Sequence, residues 1–146
     1  MRELSADEVT TVLSRNGIGV LALLDGDQPY PLPMSFGYDG DRPLFVMQFG
    51  AGPDSRKFDC LEEGAKAGFT VYEETEPGTE WRSVVITGEL REIRDEETVD
   101  AYTAIAANAE FAPDMAIWGV PLEDTSLTVF ELTMNECTGR AFSMTR

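Results

Sequence analysis

Three prolines at alternate positions, Pro29, Pro31 and Pro33, stand inside a run over 28–38 that otherwise has the composition of a β-strand. Each removes one ladder donor, so the first half of that strand is expected at a sheet edge or in an irregular stretch. An apolar run at 18–24 precedes it and ends at Asp25-Gly26-Asp27; Tyr38-Asp39-Gly40-Asp41 follows it and leads to a third strand at 43–49. Both junctions are of hairpin length, which joins antiparallel neighbours and argues against a parallel α/β sheet. Further strands are expected at 67–75, at 127–134 and at 81–93, where Val84, Val85, Ile86 and Thr87 supply β-branched side chains.

Helical signals are fewer. Ser5-Ala6-Asp7-Glu8 has the form of a capping box, with Val9, Val12 and Leu13 at helical spacing before a stop at Asn16-Gly17. The stretch 55–63 predicts a short helix with Phe58 and Leu61 inward, and 96–109 an alanine-rich one carrying Val99, Tyr102, Ile105 and Ala106. About six antiparallel strands with inserted helices predict a mainly β, partly closed barrel. At 146 residues and 42% hydrophobic, the chain suffices for a single domain, 1–146, with one core.

Charge narrows the function. There are 27 acidic residues against 11 basic ones, a net −16, and only Lys57 and Lys66 are lysines. That balance argues against a nucleic-acid partner. The acids are spread along the chain, as a charged shell would be, and such a shell repels itself until salt screens it. A halophilic source is the economical explanation, with an ordinary acidic cytosolic protein as the alternative. No apolar run reaches membrane-spanning length and no export signal is visible, so a cytoplasmic location without membrane association is expected.

The chain has no histidine, and Cys60 and Cys137 match no ligand spacing, which makes a structural zinc site improbable. Without a histidine base the commonest serine and cysteine hydrolase arrangements are also removed. Gly50-Ala51-Gly52 lacks the third glycine of a dinucleotide fingerprint and the Gly-Lys-Ser/Thr of a P-loop. Any chemistry is therefore expected to belong to a bound cofactor. Two segments could hold one. Gly50 to Lys57 sets a glycine-rich turn before Ser55, Arg56 and Lys57 at an expected helix start, a combination suited to phosphate. The alternative is that Arg56 and Lys57 pair with Asp54, Asp59 or Glu62. In Trp81-Arg82-Ser83-Val84, Trp81 and Ser83 share one strand face, offering a stacking surface and a hydroxyl; the alternative is a core tryptophan.

The order of these pieces resembles the FMN-binding split-barrel superfamily of pyridoxamine 5′-phosphate oxidases, and most closely its short nitroimidazole-resistance-type branch. The resemblance rests on a glycine-led first strand, Pro29-Tyr30-Pro31-Leu32-Pro33-Met34-Ser35-Phe36, Leu44-Phe45-Val46, Ser55-Arg56-Lys57, Trp81-Arg82-Ser83-Val84-Val85 leading to Gly88, and Thr138-Gly139-Arg140. It implies an antiparallel split β-barrel and a homodimer with FMN in a cleft between subunits. Carried over by position, Met34, Ser35 and Phe36 flank the ring and Gln48, Phe49 and Gly50 border it. Ser55, Arg56 and Lys57 hold the phosphate, and Trp81 and Ser83 complete the site, with Trp118 or Arg140 offered by the partner.

Two departures from the pattern matter. Many relatives carry a histidine where this chain has Met47 and Gln48, and the arginine-rich C-terminal substrate motif of true pyridoxamine phosphate oxidases is missing. Haem ligation through histidine is excluded. The resemblance implies an FMN-dependent oxidoreductase acting on a small-molecule substrate. The alternatives are a reductase using the deazaflavin cofactor F420 and a non-catalytic flavin-binding or storage protein.

Overall fold

The computed structural model describes residues 1–40, 44–51, 60–108 and 126–144. In chain order these form β1 (Arg2–Glu3), α1 (Ala6–Arg15), β2 (Ile18–Asp25), β3 (Gln28–Ser35), β4 (Gly37–Asp39), β5 (Leu44–Ala51), β6 (Lys66–Glu76), β7 (Glu80–Glu92), α2 (Thr98–Asn108) and β8 (Ser126–Ser143). All strands belong to one sheet with the ladder order β3-β2-β6-β7-β8-β5-β4, and β1 pairs with β8. Every pairing is antiparallel.

The local signals act as their chemistry requires. Ser5 caps α1: its side chain accepts from the Glu8 amide while the Glu8 carboxylate accepts from the Ser5 amide at 3.0 Å. Gly26, at φ +64°, turns β2 directly into β3. β3 lies at the end of the ladder, as its prolines demand. The Phe36 amide donates to Gly17 O at 3.1 Å, which sets the alternation along the hairpin. Tyr30, Leu32 and Met34 therefore turn their backbone groups toward β2. Pro29, Pro31 and Pro33 turn theirs outward, so no ladder bond is lost.

The sheet is curled. β5 and β6 are three ladder steps apart, about 14 Å in a flat sheet, yet the rings of Phe45 and Phe69 lie 4.7 Å apart. Phe36 closes the cluster at 4.8 Å from Phe45 and 5.3 Å from Phe69. Val12 and Leu13 of α1 plug this concave side. On the convex side α2 covers one end only, burying Ala101, Ala104 and Ile105 against Val46, Ile93 and Val129. Gly37 makes that approach possible, because a Cβ there would stand 2.4 Å from the Ile105 amide nitrogen.

Two expectations are corrected. The strand expected over 28–38 is two: pairing with β2 stops at Ser35, and Gly37 then pairs with Val46 of β5. The last strand, expected to end at 134, runs to Ser143, because the β7 ladder outweighs its polar sequence. A register shift at Thr87/Gly88 absorbs one residue there, Asn135. The helix expected over 55–63 falls mostly outside the described residues, at 55–59; its last four positions, 60–63, form turn and irregular backbone. Leu61 does pack against the core.

Candidate functional site

Alternation along each strand assigns the candidate residues to two faces of the sheet. Met34 packs against the core on the concave side, and Phe36 is fully buried there within its aromatic cluster. Ser35 turns the other way. Its ladder partner is Ile18 on β2; Val20, two residues on, pairs with Thr70 of β6, and the same face of β6 carries Tyr72, which pairs with Ser83 of β7, itself opposite Arg140 of β8. Ser35 and Ser83 thus share one row, three strand spacings or about 14 Å apart on a flat sheet.

The same face carries Trp81, whose ring lies 6.3 Å from that of Phe142 at a 43° tilt. Ile18, Leu24, Tyr72, Val85 and Phe142 are large hydrophobics exposed on it, Tyr72 to 74%. Between Glu74 at one end and Glu89 at the other, the convex positions of β3, β2, β6 and β7 carry no charge. In a chain of net −16 such a patch is a marked departure from the rest of the surface.

Cations are scarce on the described surface. Arg2 and Arg82 both reach Glu8, and Arg82 also holds Glu80 at 2.9 Å. Arg15 holds Glu73, Arg91 holds Glu97 and Glu131, Arg94 holds Glu92, and Arg140 holds Glu3. These pairings lower several carboxylates: hydrogen bonds from Arg2 and the Ser5 amide hold Glu8 down at about 2, and the Arg82 hydrogen bond lowers Glu80. An anionic ligand beside Trp81 and Ser83 therefore finds each of these arginines already engaged.

The phosphate candidates Ser55, Arg56 and Lys57 lie outside the described residues, as does Trp118. Gln48, Phe49 and Gly50 are placed by the β5 ladder alone, opposite Val129, Thr128 and Leu127 of β8. Among the described residues no group of three or more acidic or cysteine side chains could hold a metal ion. Burial pushes the Cys137 thiol up, away from thiolate reactivity. No helix among the described residues is long and apolar enough to cross a membrane. Sequence reasoning singled out Trp81, Ser83 and Arg140 but missed Tyr72 and Ile18. Their signal was available in the one-sided absence of charge along β2 and β6.

Known structures share this architecture. An FAD-binding protein of Mycobacterium smegmatis superposes with a TM-score of 0.73 at 17% identity, covering 99% of this chain and 100% of that one. A Mesorhizobium loti FAD-binding protein gives 0.71 at 24% identity, covering 97% and 98%. An uncharacterized Rhizobium meliloti protein is 25% identical over 149 residues, 97% of this chain and 95% of its own. The family model described as pyridoxamine 5′-phosphate oxidase matches residues 5–141. With an antiparallel split-barrel sheet and a match across nearly its whole length, the chain belongs to the pyridoxamine 5′-phosphate oxidase family.

Proposed function

We propose that this protein binds FMN between two copies of itself and works as a flavin-dependent oxidoreductase on a small molecule in a high-salt cytoplasm. The observation that carries the reading is the uncharged convex row Ser35–Ile18–Tyr72–Ser83 beside Trp81. It offers hydroxyls and flat apolar surface, the complement of a heteroaromatic ring with polar edges. Met34 and Phe36 are packed into the core on the other face, so the ring rests on the convex row and one chain covers only one side of it. A second copy docked over this row, at the Tyr72–Trp81 end of the convex face, completes the enclosure. Family membership and two FAD-binding structural relatives support a flavin, since FAD contains the FMN moiety.

The charge inventory fits the same picture. All six described arginines already hold carboxylates, and the resemblance assigns the phosphate to Arg56 and Lys57. A bound flavin supplies hydride and single-electron transfer. The protein's part is to orient the ring, satisfy its polar edge and exclude water.

The test is an absorption spectrum and light scattering on protein purified in molar salt. The expected result is a yellow dimer with flavin bands, whose bleaching by a reduced nicotinamide and recovery with a small oxidant report turnover. A flavin that binds but never cycles would leave a storage protein. A colourless monomer that takes up neither FMN nor a deazaflavin would overturn the proposal.

A further inference from the structure

About 13 Å along β6 from the Tyr72 row, counting four residues of strand to Gly68, the convex face holds a cavity of about 390 Å³. Its floor is Gly68, where a Cβ would meet nothing closer than Ile86 O at 3.5 Å, so the missing side chain itself opens the space. Ala22, Leu24 and Pro29 line it from β2 and β3, and Thr87 and Asn135 from β7 and β8. Asn135 is the extra residue of the β7/β8 register shift, the kind of irregularity that re-aims a side chain. Lys66 completes the lining.

Lys66 is the one basic side chain among the described residues that holds no carboxylate; each of the six arginines holds at least one. Glu89 stands opposite it in the ladder and also lines the cavity, yet no ion pair joins the two. In a chain with 27 acidic residues, a lysine left without a carboxylate beside an apolar hollow is a vacant anion partner. We infer that this cavity is a second ligand site, distinct from the flavin row, for a small carboxylate with an apolar body. The carboxylate meets Lys66, the body lies over Gly68 against Leu24 and Pro29, and Thr87, Asn135 and Glu89 take polar substituents. The volume, near the lower end of the range for ligand pockets, sets the size class.

The probe is 1-naphthoate, titrated against the full chain in molar salt by its fluorescence, with uncharged 1-naphthamide as comparison. The expected result is one site per chain, with Lys66→Gln and the amide each weakening binding about tenfold or more, as loss of a charged hydrogen bond does. Gly68→Val, which fills the floor, abolishes it, while FMN uptake by both variants stays unchanged. Lys66→Gln alters an exposed side chain and carries the test even if Gly68→Val fails to fold. Absence of naphthoate binding, equal affinity for the amide, full binding by Lys66→Gln, or displacement of naphthoate by FMN overturns the inference. Because FMN uptake is followed in parallel, failure here is distinguishable from failure of the flavin proposal.

Discussion

Arg15, the last residue of α1, grips Glu73 of β6 with both arms of its guanidinium, Nε lying 3.0 Å from Oε2 and Nη2 on Oε1. Asn16 adds a third donor to the same carboxylate at 2.8 Å. The helix that plugs the concave side is thereby fastened to the sheet at the end opposite its Ser5 cap. Arg15 is half exposed while Glu73 is nearly covered, so removing the base, which strands a covered carboxylate, costs more than removing the acid, which leaves an arginine that water can solvate. Glu73→Ala is expected to lose about 1–2 kcal/mol after allowance for solvent screening. A urea midpoint unmoved by Glu73→Ala would contradict this.

The same clasp sets an acid limb. Burial pushes the Glu73 carboxyl up, but the hydrogen bonds from Arg15 and Asn16 pull harder, and the net shift is downward from 4.5. A group lowered in the folded state contributes stability that is complete above its ordinary value and is lost as pH falls through it. Stability is therefore expected to decline below about pH 4.5 toward the range where Glu8, held at about 2, also takes up a proton. Arg15→Ala should flatten the upper part of that decline. Urea midpoints measured at successive pH values would show the same slope in both proteins if the clasp contributes nothing.

Gly37 is predicted to tolerate no side chain. A Cβ there would lie 2.4 Å from Ile105 N and 2.6 Å from Ala104 C, backbone atoms that cannot swing aside. Gly37→Ala should cost about 2–3 kcal/mol by overpacking α2 against β4. Gly26→Ala, at φ +64° in open space, should cost only about 1 kcal/mol. Equal melting temperatures for the two variants would show that α2 yields easily.

Much of this architecture was legible in the residues because the deciding interactions are local. The Ser5–Glu8 box, the Gly26 turn and the proline-marked edge each act within a few positions. What was not legible depends on partners distant in sequence. β8 reads as ending at 134 because Asn135-Glu136-Cys137-Thr138 has no strand-like alternation. It continues because β7 supplies ladder bonds and a register shift takes up Asn135. The break at Phe36 has the same origin, a change of neighbour from β2 to β5. For the candidate site, strand alternation correctly gave Trp81 and Ser83 a common face. That Ser35 shares their row while Met34 and Phe36 face away follows only from the full ladder order.

Flavin affinity should depend on the two adjacent cations. Arg56→Ala and Lys57→Ala are each expected to lose about 1.5–3 kcal/mol of binding free energy if they donate charged hydrogen bonds to the phosphate. Ser83→Ala should weaken binding by about 1 kcal/mol through one lost neutral hydrogen bond. Fluorescence titration with FMN measures all three. Wild-type affinity in both cation variants would place the phosphate elsewhere.

Salt is expected to strengthen binding. An FMN anion approaching a chain of net −16 is repelled at long range, and molar salt shortens the screening length to about 3 Å while leaving close contacts less affected. Dimer formation should rise in parallel, since the uncharged convex face can meet its copy only once the surrounding acids are screened. FMN titrations at stepped salt, with light scattering alongside, decide it. Affinity falling steadily with salt would mean that contact ion pairs dominate.

The outward-turned prolines of β3 have a further consequence for a sheet that curls without closing. An arriving strand needs amide hydrogens to grip, and at positions 29, 31 and 33 that edge presents carbonyls alone. Cross-β stacking would have to begin with three successive vacancies in its hydrogen-bond register. Copies can still meet face to face on the convex side. Along β3, growth of the sheet into a fibril is stopped by the covalent structure of the edge itself, whatever the salt or the protein concentration.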